Sequence, residues 1–407
     1  MPTGAAAAGA GASGAPVMSG GGNPFQLATN LYAEKNVAGV LAFTTGAAQQ
    51  PGGGQVNAGQ YLRSVRLLVR TTTAGTAATG LNANGDFPFN MLTQVDLVNV
   101  DGSEILYPMN GYSHYIAQKY TRPWDGDPAL YPDAAQSGIL TPQFTLHLKP
   151  EIRWSAGCLA NTDTRSQYRI DYTVDSEANF LQGAGTGYTV HPVINVTPYL
   201  DAWAQPDAND LQGTANQPVP PGLNLQVKRR HQIFTMNASG SDNIFQSALT
   251  GNALRCQILV TRNAANNLRS DNLTDPILWQ LDNRSLGKIS TVVAQGTPPW
   301  AAGSGLLEDW MYEFYADYFN AQTTSSATSG VKGSTTGLPY TRETGVYVFP
   351  RFIQPGELIG QGWLYTANST KEIFESTSSA STSSATAELI SDEVYPVGPV
   401  DPSLTDI

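Results

Sequence analysis

Residues able to do chemistry are sparse in this chain and stand apart. The four histidines, His114, His147, His191 and His231, form no H-x-x-x-H pair, and Cys158 and Cys256 form no C-x-x-C pair. Metal sites bring three or four such ligands to one point and usually announce them as close pairs, so no metal ligand is assigned. Gly287-Lys288 lacks the preceding glycine framework of a phosphate loop and is followed by Ile289. Gly183-Ala184-Gly185-Thr186-Gly187 is glycine-rich but stands between strand-like segments with no helix signal after it. A phosphate cradle draws on a helix N-terminus, so the segment is read as a flexible loop. Asp125-Gly126-Asp127 offers two carboxylates without the rest of a calcium loop and its distal Glu, and is read as a solvated turn. No G-x-S-x-G elbow occurs. Catalytic, cofactor-binding and metal-binding residues are all assigned as none, and the chain is read as a non-enzyme without a cofactor.

What remains points to packing and surfaces. Cys256 lies in an apolar strand-like run, and both cysteines are read as buried free thiols suited to a reducing compartment at synthesis. Lys228-Arg229-Arg230, beside His231, is the one compact basic cluster and is read as a solvated strand or loop edge. With a net charge of -11, the chain is poorly suited to wrapping nucleic acid, which is held mainly by Lys and Arg on phosphates. Only 14% of residues are charged, and that depletion suits a surface covered by neighbours, because desolvating charge is costly. No apolar run reaches the roughly 18 residues needed to span a membrane. Residues 1–23 hold seven Gly and seven Ala, with no Lys or Arg and no signal-peptide core, so they are read as a flexible arm and export is not expected. Without export, Asn195-Val196-Thr197 and Asn368-Ser369-Thr370 carry little weight as glycan acceptors.

The elements that must hold such a surface are strands, and two of them recur. Leu62-Arg63-Ser64-Val65-Arg66-Leu67-Leu68-Val69-Arg70 is echoed by Leu254-Arg255-Cys256-Gln257-Ile258-Leu259-Val260-Thr261-Arg262 at an offset of 192. Met91-Leu92-Thr93-Gln94-Val95-Asp96 is echoed in the same order by Ile277-Leu278-Trp279-Gln280-Leu281-Asp282 at an offset of 186. Two segments separated by a loop thus recur with a six-residue change in spacing, which implies two similar halves.

Period-2 alternation marks further strands, as in Tyr168, Ile170, Tyr172 and Val174, or Phe144, Leu146 and Leu148. Others are expected over residues 37–43, 189–196, 225–236, 287–293, 345–352 and 357–367, with Pro51-Gly52-Gly53-Gly54, Asn84-Gly85-Asp86 and Asp101-Gly102 as turns. Helices are expected only over residues 111–120 and over 306–319, the latter apolar around most of its circumference. The resulting layout is an arm over 1–23, a first β-sandwich over 24–204, a proline-rich connector over 205–222, a second sandwich over 223–375, and a Ser/Thr-rich tail over 376–407.

This order of features resembles the double jelly-roll major capsid proteins of tailless, internal-membrane double-stranded DNA viruses, the tectivirus coat proteins above all. The resemblance rests on residues 61–70 and 91–100, the segment Gly111-Tyr112-Ser113-His114-Tyr115, and then residues 254–262, 275–282, 306–319, 345–350 and 358–365. It implies a mainly β fold of two tandem jelly-roll sandwiches with few short helices. It also implies homotrimers forming pseudo-hexagonal capsomers in the icosahedral shell of a bacteriophage-like virion, around an internal membrane. The implied partners are neighbouring trimers, penton and minor capsid proteins, and the internal membrane at the termini, with no direct sequence-specific nucleic acid binding. Synthesis would be in the host cytoplasm. The chain departs from the family pattern in its uncharged Gly/Ala-rich start and in long excursions over residues 122–141 and 322–336. The alternative is a carbohydrate-binding or adhesive β-sandwich surface protein, for which Trp124, Trp203 or Trp300 would line an open groove. An enzyme of cupin-like or glycosidase type ranks third.

Overall fold

A computed structural model of the chain describes residues 25, 29–36, 40–44, 46, 49–71, 82–83, 86–121, 143–153, 155–182, 191–205, 225–264, 267, 269–270, 272–274, 277–282, 284–289, 345–351, 363–379 and 384–396. The first half contains β1 (Leu31–Lys35), β2 (Leu41–Thr44), β3 (Gln50–Gln55), β4 (Tyr61–Thr71), β5 (Asn82–Ala83), β6 (Leu92–Val98), β7 (Glu104–Met109), helix α1 (Gly111–Thr121), β8 (Gln143–Leu148), β9 (Leu159–Ala160), β10 (Arg169–Val174), the single-turn α2 (Glu177–Phe180), β11 (Leu181–Gln182) and β12 (Val193–Trp203). The second half contains β13 (Leu225–Thr235), β14 (Asp242–Ser247), β15 (Ala253–Arg262), β16 (Ile277–Leu281), β17 (Arg284–Ile289), β18 (Val346–Pro350), β19 (Leu364–Tyr365), β20 (Glu372–Thr377) and β21 (Thr386–Pro396).

Each half is a jelly roll. In the first, β1 and β2 lie end to end along β12, and the order continues to β4 and β8, while β3, β10, β6 and β7 form the facing sheet. In the second, β13, β21, β15 and β18 form one sheet and β14, β20, β16 and β17 the other. Both orders alternate early and late strands, the mark of a sandwich whose connections cross from sheet to sheet. The two rolls share a sheet, because β7 of the first bridges β13 of the second in parallel at Leu106 and Arg229, making nine strands continuous.

The echoed segments occupy equivalent places. β4 runs between β12 and β8, and β15 between β21 and β18. Even the irregularities match: the ladder slips past Arg63 in β4 and past Arg255 in β15. A two-residue strand, β9 or β19, pairs with the first residues of each. The second echo falls on β6 and β16, which pair with β10 and β7 and with β20 and β17.

Several boundaries differ from expectation for physical reasons. Of the strand expected at 37–43, β2 begins at Leu41, and residues 37–39 lie outside the described residues. β1 precedes it and is followed by buried Asn36, which turns inward to donate to the Gln55 carbonyl (3.0 Å) and accept from the Asn57 amide (2.9 Å). Pro51-Gly52-Gly53-Gly54 is not a turn but lies in β3, an edge strand where proline costs no ladder bond. Its glycines are needed there, since a Cβ on Gly52 would lie 2.6 Å from the Tyr172 ring and 2.7 Å from that of Phe43. The strand expected at 189–196 starts at Val193 and runs on to Trp203, and that at 287–293 is β17, which starts at Arg284.

The tail assigned to 376–407 needs correction. β20 extends to Thr377, and β21 is a central strand between β13 and β15 with Leu389, Ile390 and Val394 buried. The apolar residues that return after the Ser/Thr run do not lie along a surface but close the second roll. Helix α1 is found where expected, whereas the helix expected over 306–319 lies outside the described residues.

Candidate functional site: the ionic seam between the two rolls

The face of β15 that points away from its own roll is what the rest of the molecule is built against. In β4 the corresponding outward positions are Ser64, Arg66, Leu68 and Arg70; in β15 they are Cys256, Ile258, Val260 and Arg262. Nine of the ten β15 residues are buried, as expected of a strand covered on both faces. Leu259 packs in the second roll's own core with Trp279, Tyr347, Phe349 and Phe374. Cys256, Ile258 and Val260 join the core of the first roll, together with Val346, Val348, Ile390 and the α1 residues Tyr112 and Ile116. Ile152, which follows β8, adds a smaller contact with Leu225, Val227 and Val394.

Helix α1 is wedged into this seam, and both its ends are held. Asn110 caps the N-terminus by accepting from the Ser113 amide at 2.8 Å. At the other end, the Arg255 guanidinium donates to the Thr121 carbonyl at 3.0 Å, placing positive charge where the helix dipole favours it. The helix approaches the preceding turn so closely that a Cβ on Gly111 would lie 2.3 Å from the Phe89 carbonyl oxygen.

Buried charge then joins the halves. Asp86, just before β6, is clamped by two arginines of the second roll, Arg262 and Arg269, the latter at 2.6 Å. Glu388 of β21 accepts from Ser113 of α1 at 2.5 Å, contacts His231 at 3.1 Å and faces Arg262 at 3.8 Å. Burial would raise the Glu388 carboxyl, but the hydrogen bond with His231 and the charge of Arg262 prevail and hold it below the usual carboxylate range. Asp392 bridges Arg229 at 3.3 Å and Arg255 at 2.9 Å, with both arginines fully buried. Ion pairs of this kind add little net stability over an apolar core but fix one geometry, since separating any member strands a charge.

The arrangement is not the relay of a serine nucleophile. Ser113, Glu388 and His231 bring a hydroxyl, a carboxylate and an imidazole together, but the carboxylate stands in the middle and takes both contacts. A serine nucleophile needs the imidazole on its own oxygen. His114 is buried in α1, and its Nε2–H donates to the Val95 carbonyl at 2.7 Å; burial first, and Arg229 next, push its pKa down to about 3, so it is a neutral structural tie. His191 contacts Glu177 at 3.0 Å, and His147 sits in β8. Cys158 and Cys256 are buried free thiols, pushed up by burial. Among the described residues no three His, Cys, Asp or Glu side chains are grouped to hold a metal ion.

The basic cluster corrects its sequence reading: it is not a solvated edge but part of β13, with Arg229 on Asp392 and Arg230 on Glu393. Trp203 does not line an open groove either, because its Nε1–H donates to Glu151 at 2.8 Å and Arg63 lies over its ring. Lys288 lies in β17, whereas Asp125, Asp127, Gly183 to Gly187, Trp124 and Trp300 lie outside the described residues. Two of the seam arginines, Arg255 and Arg262, were already in the echo, at matching places, but their roles were not. The signal available was the loss of alternation in residues 254–262, which marks a strand buried on both faces.

Solved structures share this fold over nearly the whole length. The major capsid protein of Sulfolobus Turreted Icosahedral Virus matches with a TM-score of 0.55 and 14% identity, covering 93% of this chain and 100% of that one. PBCV-1 VP54, as fitted into a reconstruction of the virophage Sputnik, matches with a TM-score of 0.54 and 10% identity, covering 90% and 94%. The chain has the double jelly-roll fold of viral major capsid proteins. No family model and no curated protein matches the sequence. In this double jelly roll the seam is thus the feature that turns two sandwiches into one block. No helix among the described residues is long and apolar enough to cross a membrane.

Proposed function

We propose that the chain is the major capsid protein of a tailless icosahedral double-stranded DNA virus with an internal membrane, and that its function is assembly rather than catalysis. Three chains form a pseudo-hexagonal capsomer of six rolls, and neighbouring capsomers, with penton and minor capsid proteins, complete the shell. The observation that carries this reading is the shared nine-stranded sheet, which holds two rolls in one fixed relation, as a tile needs. The first roll occupies 24–204 and the connector 205–222; the second begins at 223 and includes β21. The arm over 1–23 contacts neighbours or the membrane, and the protein is made in the host cytoplasm before entering the virion. The acidic balance fits a shell that a lipid layer separates from the genome.

Light scattering at micromolar concentration tests the reading. The expected mass is about three times the 43.3 kDa of the chain, and a stable monomer would overturn it. The adhesive reading loses Trp203 to its contacts with Glu151 and Arg63.

A further inference from the structure

Within the chain, the outer edge of β13 is covered: β7 of the first roll lies along it, and Leu225, Val227 and Arg229 are buried there. The equivalent edge of the first roll is β1 with β2, and the ladders match residue by residue. Ala33 pairs with Asp201, which pairs with Ser64, just as Arg229 pairs with Asp392, which pairs with Cys256. Among the described residues nothing lies along this second edge. Among the described residues β1 and β2 each pair with β12 alone, and apart from Phe43, which reaches the core, and half-buried Tyr32 their residues are exposed. Leu31, Val40 and Leu41 are 49%, 37% and 41% exposed, three of the eight large apolar side chains so exposed among the described residues, gathered on one edge. An open apolar strand edge is a template for pairing with another chain.

The complementary piece is also on the page. β17 occupies in the second roll the place that β7 occupies in the first, at the end of the sheet, and among the described residues it has one paired neighbour, β16. We infer that the edge formed by β1 and β2 receives β17 of a second copy of this chain, repeating between chains the junction that β7 and β13 make within one. Such a contact is heterologous, so successive copies close into a ring when the rotation permits. Arg70 fits the same pattern. It is exposed at the place where its counterpart, Arg262, takes Asp86 from the other roll, and the second copy supplies a carboxylate to it.

The inference rests on the trimeric reading above and locates its contact. Its test is light scattering and circular dichroism on the full chain carrying Leu31→Asp together with Leu41→Asp, with Ile244→Asp as a control at an exposed apolar site away from this edge. The expected result is a trimer for the wild type and the control, and a folded monomer for the double variant. A double variant that stays trimeric overturns the edge assignment and leaves the trimer standing; a monomeric wild type overturns the trimer itself. Amide exchange across residues 31–44 of the wild type gives a reading that does not depend on the variant folding. A covered edge protects the amides that point away from β12 at assembling concentrations, and their rapid exchange in the trimer overturns the inference.

Discussion

At the scale of residues, the seam depends on carboxylates that each hold more than one cation. Asp392→Ala strands Arg229 and Arg255, both fully buried, and the expected loss is about 3–5 kcal/mol in urea unfolding. Asp163→Ala, which breaks an exposed pair with Arg165, is expected to cost less than about 1 kcal/mol in the same measurement. Asp96 behaves in the opposite sense. It is 5% exposed, and burial first, then Asp171 and Glu104, push its pKa up to about 6. The folded state therefore holds a proton that the unfolded chain has released, and stability from this group falls as pH rises from about 4 through 6. Asp96→Asn is expected to raise stability at pH 7.5 by on the order of 1–2 kcal/mol, with the gain vanishing below about pH 4. Thermal melts across pH 3.5 to 8 check it, and an unchanged gain at every pH would contradict the assignment. None of these roles was legible beforehand, because a lone Asp or Arg in a strand gives no sign of what the other half of the chain brings against it.

At the scale of elements, much was legible. Alternation located β8 and β10, and the repeated Leu, Arg, Leu and Arg located β4 and β15 as counterparts, because the same place in two rolls demands the same apolar face and the same bulge. β21 was missed, since Thr386, Glu388, Ser391, Asp392 and Glu393 make a central strand look like a polar tail. Those polar groups are spent on buried partners: Glu388 on Ser113, Asp392 on Arg255, Glu393 on Arg230 and Asn252. Asn36, turned inward after β1, carries no periodic signal at all. Helix α1 was found by its residues, but its position in the seam followed only from the fold. Gly111→Val tests that position, because the new side chain meets the Phe89 backbone rather than a movable group. The expected cost is about 1–3 kcal/mol by chemical denaturation, and a neutral result would mean that α1 is not pressed against that turn.

At the scale of the whole molecule, the two rolls are not independent beads. The second roll expressed alone, as residues 223–407, would expose Cys256, Ile258, Val260, Val346, Val348 and Ile390 as one apolar face. It is expected to aggregate or to bind a hydrophobic dye strongly, whereas the full chain does not; a soluble, dye-silent second roll would mean that the seam is dispensable. The doubling could be read from the chain, but the sheet shared through Leu106 and Arg229 could not, because one parallel bridge leaves no periodic trace. That shared sheet sets the angle between rolls, and hence whether three copies close with nearly sixfold contacts. The most direct measurement is electron microscopy of the purified full chain in negative stain. The account predicts discrete particles of hexagonal outline, with six lobes around a threefold axis. Particles showing only two lobes, or rings without hexagonal outline, would contradict it.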